Sequence, residues 1–284
     1  MTLKSWLAKA QKESWALPHF NFSNLEMLKA LVQAAQEARS PVMVGTSEGE
    51  RNFIGLREAV FMVESFREEF GVEIFLNADH SKSAESAKKA IDSGYDSVHI
   101  DLSNLSFGEN VKGTKEVVNY RGPTSIEGEL GYLPGESKIQ NKKFELKPED
   151  LTDPDEAARF VRETGVDRFA GAFGNIHGIS LDEPALYIER IKAVRKALSE
   201  DIALVLHAGS GIPDEEIKAA IAAGISNIHI STELRSEFRE ELEKSLHKKG
   251  ETEYAPYKIM GPVVEGIKEK AIEKIKLFGS VNRV

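Results

Sequence analysis

Short apolar runs alternate with segments of helical periodicity eight times along the chain, and this alternation constrains the fold more than any other feature. Several helical segments end at a glycine just before the next run begins, as at Gly94, Gly165 and Gly224. The runs are continuously apolar, which is typical of parallel strands that are buried on both faces. They lie at residues 16–23, 41–47, 73–79, 97–103, 124–130, 168–174, 202–209 and 225–232.

This pattern predicts an α/β fold, a (β/α)8 TIM barrel that forms a single domain over residues 1–284. No change in composition marks a second domain. A doubly wound open sheet is the alternative, but no GxGxxG motif follows the first strand.

Composition excludes several classes of protein. The 37 basic and 46 acidic residues give a net charge of −9, which argues against a nucleic-acid-binding surface. No apolar stretch approaches the roughly 20 residues that a membrane span needs, and the N-terminus does not resemble a signal peptide. Without cysteine, any transition metal must be bound by histidine and carboxylate. We therefore expect a soluble cytoplasmic enzyme.

Two segments fall outside the repeating unit. Residues 131–156 are too long for a simple loop between strand and helix, and their polar composition predicts a mobile flap around 131–150. Such a segment is either a lid or a solvated insertion. Residues 256–277 form a C-terminal helical stretch that is a candidate oligomer interface.

Polar residues gather where the predicted strands end, which is the face that carries the chemistry in α/β barrels. His80, His177 and His207 follow the third, sixth and seventh strands. A lone histidine in such a loop is usually a surface residue, but three at equivalent positions with carboxylates nearby are typical of a catalytic zinc site with an open position. The other polar strand ends include Asn21, Ser47, Asp79, Asp101, Glu127, Glu129, Ser231 and Thr232.

Asp79 and His80 are adjacent, so a regular strand would direct them to opposite faces. For both to reach the site, the strand must become irregular at this point. His19 and His99 lie within strands and His247 lies at a charged helix end, so we interpret these three as structural or solvent-facing.

A second feature indicates anion binding. Residues 207–211, HAGSG, follow the seventh strand, and residues 230–233, ISTE, follow the eighth and begin a helix. Glycines allow close approach of the backbone, and N–H groups at a helix start face an anion. GSG alone is a common turn, but barrels often bind phosphate in these two loops.

These residues resemble those of the class II, metal-dependent fructose-1,6-bisphosphate aldolases. The segments that carry the resemblance cover nearly the whole chain in the family's order, and the compact loops resemble the shorter branch that includes tagatose-1,6-bisphosphate aldolases. The specific signatures are LVLHAGSGIP and the DH pair within LNADHSKS, and other matching segments include IEGELG and FGNIHG.

The resemblance implies a zinc ion bound by His80, His177 and His207. Asp101 and Glu129 match carboxylates that hold the metal in an alternative position or bind a second divalent metal. Asp79 matches the residue that handles the proton of the substrate's C4 hydroxyl, and Glu136 in the flap is the candidate base for the C1 proton of dihydroxyacetone phosphate.

The resemblance also implies a substrate-binding set around the metal. In the family, one group of residues holds the dihydroxyacetone phosphate end of the substrate and a monovalent cation, and the matching residues here are Gly178, Gly209, Ser210, Ser231 and Thr232. Asn21 and Ser47 match residues that line the same pocket, and His229 matches a position that faces the enediolate.

Four positions depart from the family pattern. His229 replaces an asparagine, Asn227 a lysine, Asn77 a histidine and Ser81 a glycine. We interpret His229 as a hydrogen-bond donor to the enediolate; the alternatives are a fourth metal ligand and simple packing.

The leading hypothesis is a zinc-dependent aldolase that cleaves fructose 1,6-bisphosphate, with tagatose 1,6-bisphosphate as the alternative substrate. A non-catalytic barrel that binds a sugar phosphate and keeps the zinc is a second alternative. The family resemblance further implies a homo-oligomer, a dimer or a tetramer, with a small phosphorylated sugar as its partner.

Overall fold

Eight parallel strands close into a barrel in the computed structural model of the chain. It describes residues 1–131, 133–140, 147, 150–180, 185–247 and 253–284, without the side chains of 136, 137 and 180. Seven barrel strands lie within the predicted apolar runs and β3 extends two residues beyond its run, so the prediction of a (β/α)8 TIM barrel is confirmed. In spatial order the strands are β1 (Leu17–Asn21), β2 (Val42–Thr46), β3 (Ile74–Ser81), β4 (Ser97–Ile100), β5 (Ser125–Leu130), β7 (Arg168–Gly171), β9 (Ala203–Leu206) and β10 (Ile225–Ile230), which pairs with β1.

Helices lie between these strands, with capping signals at their ends. The Asn24 side chain accepts the Met27 N–H at 3.0 Å and begins the second helix. Gly94, Gly165 and Gly224 have φ values of 99°, 75° and 115°, the left-handed conformation that ends a helix. The helices are α1 (Leu3–Lys12), α2 (Leu25–Ala38), α3 (Glu48–Ile54), α4 (Leu56–Phe70), α5 (Ala84–Ser93), α6 (Phe107–Tyr120), α7 (Pro154–Thr164), α8 (Ile188–Ala197), α9 (Asp214–Ala222), α10 (Thr232–Leu246) and α11 (Pro256–Leu277).

A small second sheet lies beside the barrel. Strand β6 (Gly135–Gln140) pairs in parallel with β8 (His177–Ser180). The Pro134 carbonyl accepts the His177 N–H at 2.8 Å, so the start of the predicted flap holds the backbone of a predicted metal ligand. The rest of the flap prediction falls at 132, 141–146 and 148–149, outside the described residues, and so does the side chain of Glu136.

The main apolar core lies between the strands and the surrounding helices. A second apolar cluster closes the amino-terminal end of the barrel, where Trp6 and Leu7 of α1 pack with Leu17, Met43 and Phe75. The barrel interior above this plug is polar. It contains His19, Asn77, Ser97, His99, Glu127, Arg168 and Asn227, each 0% exposed.

Helix α11 covers the predicted C-terminal stretch and packs against α2 and α10. Its buried side chains include Val263, Ile267, Ala271 and Ile275, so an oligomer interface on α11 would have to use another face. Within the described ranges, no helix is long and apolar enough to cross a membrane.

Candidate active site

Eleven of the residues predicted for the site line one cavity of about 50 Å³ at the carboxyl ends of the strands. A larger groove of about 750 Å³ lies at the other end of the barrel and contains none of them. The predicted residues around the smaller cavity are Asn21, Ser47, Asp79, His80, His177, Gly178, His207, Ser210, His229, Ser231 and Thr232.

Strand β3 is irregular where Asp79 meets His80, as the sequence predicted. His80 has a φ of 46°, a left-handed conformation that is rare outside glycine. The pairing between β3 and β4 shifts register between Ala78 and Ser81. The extra residue turns both Asp79 and His80 toward the cavity.

Asp101 orients His80. Its Oδ2 lies 2.7 Å from the His80 Nδ1, and its Oδ1 accepts the Ser103 hydroxyl at 2.7 Å. Lys82 also contacts Oδ2. Burial is the largest influence and lowers the pKa of His80, but the charges of Asp79 and Glu129 and the contact with Asp101 together outweigh it, so the net pKa is raised. The Nε2 of His80 is the nitrogen left for a metal.

The imidazoles lie close together. The ring centroid of His80 is 4.8 Å from that of His207 and 5.0 Å from that of His177. Burial, followed by the nearby His80 and His207, holds the pKa of His177 well below its usual value. A neutral imidazole is the form that binds a metal, so His177 suits a ligand.

The donor set fits a divalent metal. One ligand atom from each of Asp79, His80, His99 and His207 lies within 4.8 Å of the others, and His80, Asp101 and Glu129 form an overlapping set. Among the described residues His177 belongs to no such set, and its ring borders the cluster beside His80. The Asp79 Oδ1 and Glu129 Oε2 atoms are buried and make no well-aligned hydrogen bond among the described residues, although imidazole nitrogens of His99 and His229 lie 3.2 to 3.7 Å from them. Carboxylate oxygens left unpaired beside imidazoles are what a bound cation would satisfy.

His99 and Glu127 belong to this cluster, although the sequence placed Glu127 only among the polar strand ends and gave neither residue a functional role. His99 and His19 are fully buried, so of the two interpretations, structural or solvent-facing, burial excludes the solvent-facing one for both. The His99 Nε2 lies 3.2 Å from the Glu129 Oε2. The signal was available, because residues 99 and 101, like 127 and 129, share a strand face by their spacing of two.

Asp79 lies at the centre of the polar contacts. Its Oδ2 accepts the Asn21 amide at 3.0 Å, and its Oδ1 lies 3.4 Å from the His229 Nδ1. Burial raises the pKa of Asp79, but the charge of His80 and the contacts with His229 and His99 outweigh this and hold the pKa well below its usual value. The carboxylate is therefore ionised and able to accept a proton.

The positions 229, 227 and 77, predicted from the sequence to depart from the family pattern, form one connected group. The His229 ring stacks on His19 at 3.6 Å between centroids, and its Nε2 lies 3.2 Å from the Asn227 Oδ1. Asn77 in turn lies 3.1 Å from the His19 Nε2. Ser81, the fourth departure, has its hydroxyl bonded to Arg51.

The predicted anion loop has a free hydroxyl. The Ser231 Oγ is buried without a hydrogen-bond partner among the described residues, and Ser231 lines the cavity with Ser210 and Thr232. Gly209 has a different part, because its N–H donates to the His229 carbonyl at 3.0 Å. The Gly209 N–H therefore binds the backbone of β10, whereas Ser210, Ser231 and Thr232 line the cavity.

A cation at the cavity mouth was not predicted. Arg235, in the first turn of α10, lines the cavity and contacts the Glu50 Oε1 at 2.6 Å. Glu50 also accepts the Ser47 N–H at 2.8 Å and the Asn21 amide at 3.2 Å, so it links the loops after β1 and β2 to Arg235. An arginine within a helical pattern gives no signal of this placement.

The fold and the site define a barrel enzyme with a histidine–carboxylate cluster beside an anion-binding loop. The family model for class II fructose-bisphosphate aldolase matches residues 1–283. The fructose-bisphosphate aldolase of Geobacillus stearothermophilus is 37% identical over 99% of this chain and 97% of that protein. The one from Staphylococcus aureus strain N315 is 36% identical over 100% of this chain and 98% of that protein. The crystal structure of the YdjI aldolase from Escherichia coli K12 superposes with a TM-score of 0.86 at 35% identity and covers 99% of this chain and 98% of that one.

The chain therefore belongs to the class II fructose-bisphosphate aldolase family. It is an aldolase, a carbon–carbon lyase, as the sequence predicted.

Proposed function

We propose that this enzyme catalyses the zinc-dependent, reversible aldol cleavage of fructose 1,6-bisphosphate to dihydroxyacetone phosphate and glyceraldehyde 3-phosphate, a cytoplasmic reaction of glycolysis and gluconeogenesis. The observation that carries the proposal is the placement of His80, His177 and His207 around one cavity with Asp79 and the loop hydroxyls. The family assignment favours this hypothesis over a barrel that only binds a sugar phosphate.

His80, His177 and His207 are the residues that would hold the zinc, and Asp101 and Glu129 would hold an alternative or second metal. When bound, zinc supplies Lewis-acid stabilisation of the negative charge that cleavage leaves on the three-carbon ketone fragment. His80 is already oriented for binding by its contact with Asp101.

Asp79 is the base that takes the proton from the C4 hydroxyl as the C3–C4 bond breaks. Its low pKa keeps it ionised, and the Asn21 amide fixes one of its oxygens at 3.0 Å. Asn21 is a positioning residue in this step because it leaves the Asp79 Oδ1 to face the cavity. Glu136 remains the candidate base for the C1 proton.

Two positions hold the phosphates. Ser231 and Thr232 at the start of α10 and Ser210 in the loop after β9 bind the C1 phosphate, together with Gly178 and a monovalent cation. Gly209 supports these residues through β10, because its N–H donates to the His229 carbonyl. Arg235 faces the C6 phosphate from the cavity mouth, where Ser47 lies on the opposite side of Glu50. Remote binding of this kind orients the reacting carbons and lowers the barrier to cleavage.

A coupled assay with both sugars tests the proposal. Fructose and tagatose 1,6-bisphosphates differ only in configuration at C4, so the zinc-loaded enzyme should have a kcat/KM at least about ten-fold higher for fructose, a difference of roughly 1.4 kcal/mol in barrier. A preference for tagatose would establish the alternative substrate. Cleavage of neither sugar would contradict the proposal.

A further inference from the structure

A buried arginine lies directly beneath the histidine cluster, where barrel interiors usually hold branched apolar side chains. Arg168, at the start of β7, is 0% exposed. Its guanidinium lies 3.3 Å from the Asn227 Oδ1 and 3.2 Å from the Asn77 Oδ1, and it also contacts the Ser97 hydroxyl. The strands β3, β4 and β10 thus hold the guanidinium in one position.

The same guanidinium pairs with Glu127. The Arg168 Nη1 lies 2.7 Å from the Glu127 Oε2, and both side chains are fully buried. The desolvation free energy of a buried ion pair is larger than that of a pair at the surface, so a buried pair is stable only when further polar contacts satisfy both groups. Asn227, Asn77 and Ser97 provide these polar contacts for Arg168. Glu127 makes its further polar contact with a residue of the active site.

That contact is His207. The Glu127 Oε1 lies 2.5 Å from the His207 Nε2. A carboxylate only accepts hydrogen bonds, so the Nε2 carries the proton and the Nδ1 keeps the lone pair. In metal sites, a carboxylate on the second ring nitrogen fixes the tautomer and the ring plane of the ligand.

We propose that Arg168 is a positioning residue for the metal site. It holds Glu127 in place, and Glu127 in turn presents the Nδ1 of His207 to the metal. This inference rests on the metal ligands of the proposed function but not on the identity of the sugar. It also accounts for Asn227, because the Asn227 oxygen accepts from Arg168 and leaves the arginine as the cation that neutralises Glu127.

The inference is tested by measuring the affinity of the full-length apoprotein for zinc. Zinc competes between the protein and a chromophoric chelator, and no sugar is present. Arg168→Met should raise the Kd for zinc by about ten- to a hundred-fold, the usual loss when a partner of a ligating histidine is removed. Arg168→Lys keeps the charge and should stay within about five-fold of the parent. Leu204→Ala, in the apolar core of the neighbouring strand β9, is the control for lost stability and should leave the Kd unchanged.

A relocated cation provides the sharper test. Since the Asn227 oxygen and Glu127 contact the same guanidinium nitrogen, Arg168→Ala/Asn227→Lys places an ammonium beside Glu127 and should recover most of the zinc affinity that Arg168→Ala loses. The visible spectrum of the cobalt-substituted double variant should return toward that of the parent, and a purely structural role would not produce this shift.

Three results would overturn the inference. The first is a folded Arg168→Met protein with the same Kd for zinc as the parent. The second is a loss of zinc affinity in Leu204→Ala as large as that in Arg168→Met. The third is an Arg168→Ala/Asn227→Lys protein that binds zinc no more tightly than Arg168→Ala. If Arg168→Met does not fold, Arg168→Met/Glu127→Gln removes both charges together, and a parental Kd in that protein would overturn the inference as well. A parent that binds no zinc would contradict the proposed function, whereas a parent and variants that bind it equally contradict only this inference.

Discussion

Asp79 is the residue on which the proposed chemistry depends most, because its carboxylate is ionised, buried and held by Asn21 beside the imidazoles. Replacing Asp79 with alanine should lower kcat for cleavage by on the order of a hundred-fold or more, the usual contribution of a positioned base. Exchange of the C1 proton of dihydroxyacetone phosphate with solvent should partly survive. Glu136→Gln should show the opposite pattern, with slowed exchange, and Asp79→Ala cleaving at the parental rate would rule out the role given to Asp79.

His229 lies 3.4 Å from the Asp79 carboxylate, and its predicted role as a donor can be tested by two substitutions. His229→Asn keeps an N–H donor and should retain a substantial part of kcat. His229→Ala should lose about ten-fold or more, as expected for one hydrogen bond made in the transition state. The donor role is tested by measuring kcat of both variants in steady-state assays. An alanine variant as fast as the parent excludes the donor role, and a faster one with weaker zinc binding would identify an inhibitory fourth ligand.

His19 should make the enzyme less stable in acid. Burial lowers the pKa of His19 to about 4 from 6.5. The unfolded chain therefore takes up a proton between these values and the folded protein does not, so the free energy of unfolding falls as the pH drops from about 6.5 to 4, by up to about 3 kcal/mol for this group.

The measurement is urea unfolding at pH 7 and pH 4.5 of the parent and of His19→Gln, which retains a hydrogen-bonding group toward Asn77. Asp79 and Glu127 raise the pKa of His19, and His207 and Arg168 lower it. His229, stacked on the ring, also titrates. These groups are present in both proteins, so the difference in slope isolates His19. Parallel pH dependences would show that His19 does not titrate in this range.

At the scale of secondary-structure elements, β1 and β2 approach closely because Gly45 has no side chain. A Cβ on Gly45 would lie 2.3 Å from the His19 Nε2. The ring has little room to move, since the His229 ring stacks on it with 3.6 Å between centroids. Gly45→Ala should therefore lower the free energy of unfolding by about 1–3 kcal/mol, the cost of overpacking a filled interior.

Gly49→Ala in α3 is the matched control, because a Cβ there meets nothing within 4 Å. It should be neutral or slightly stabilising by roughly 0.4–1 kcal/mol. Combining Gly45→Ala with the flexible side chain of His19→Gln should recover part of the loss in a double-mutant cycle. If Gly45→Ala is as stable as the parent, the barrel interior is less tightly filled than these distances require.

The elements also show how far the sequence could be interpreted. The alternation of apolar runs and helices predicted all eight barrel strands, and the adjacency of Asp79 and His80 predicted the irregular end of β3. His99 and Arg168 were missed and Glu127 was given no role, because the strands were searched for polar residues at their ends and not for the face that each residue occupies. Arg235 could not have been found, because its place at the cavity depends on how α10 begins after β10.

At the scale of the whole molecule, the barrel separates stability from chemistry. The amino-terminal end is closed by the apolar cluster around Trp6 and Trp15, and the opposite end gathers the polar loops. Between them lies a buried polar layer that includes Arg168 and Glu127. Assembly into a dimer or tetramer remains a prediction, and the face of α11 turned away from α2 and α10 is the first surface to test by crosslinking.

The central claim is that cleavage needs a metal held by the three histidines. The most direct measurement is the rate of fructose 1,6-bisphosphate cleavage by protein stripped with a chelator, checked for residual metal and then titrated with zinc. The account predicts no cleavage by the stripped protein and full recovery with zinc. It also predicts that His177→Ala binds little zinc and stays inactive, because two histidines form a weak site. Full activity in metal-free protein would contradict the account.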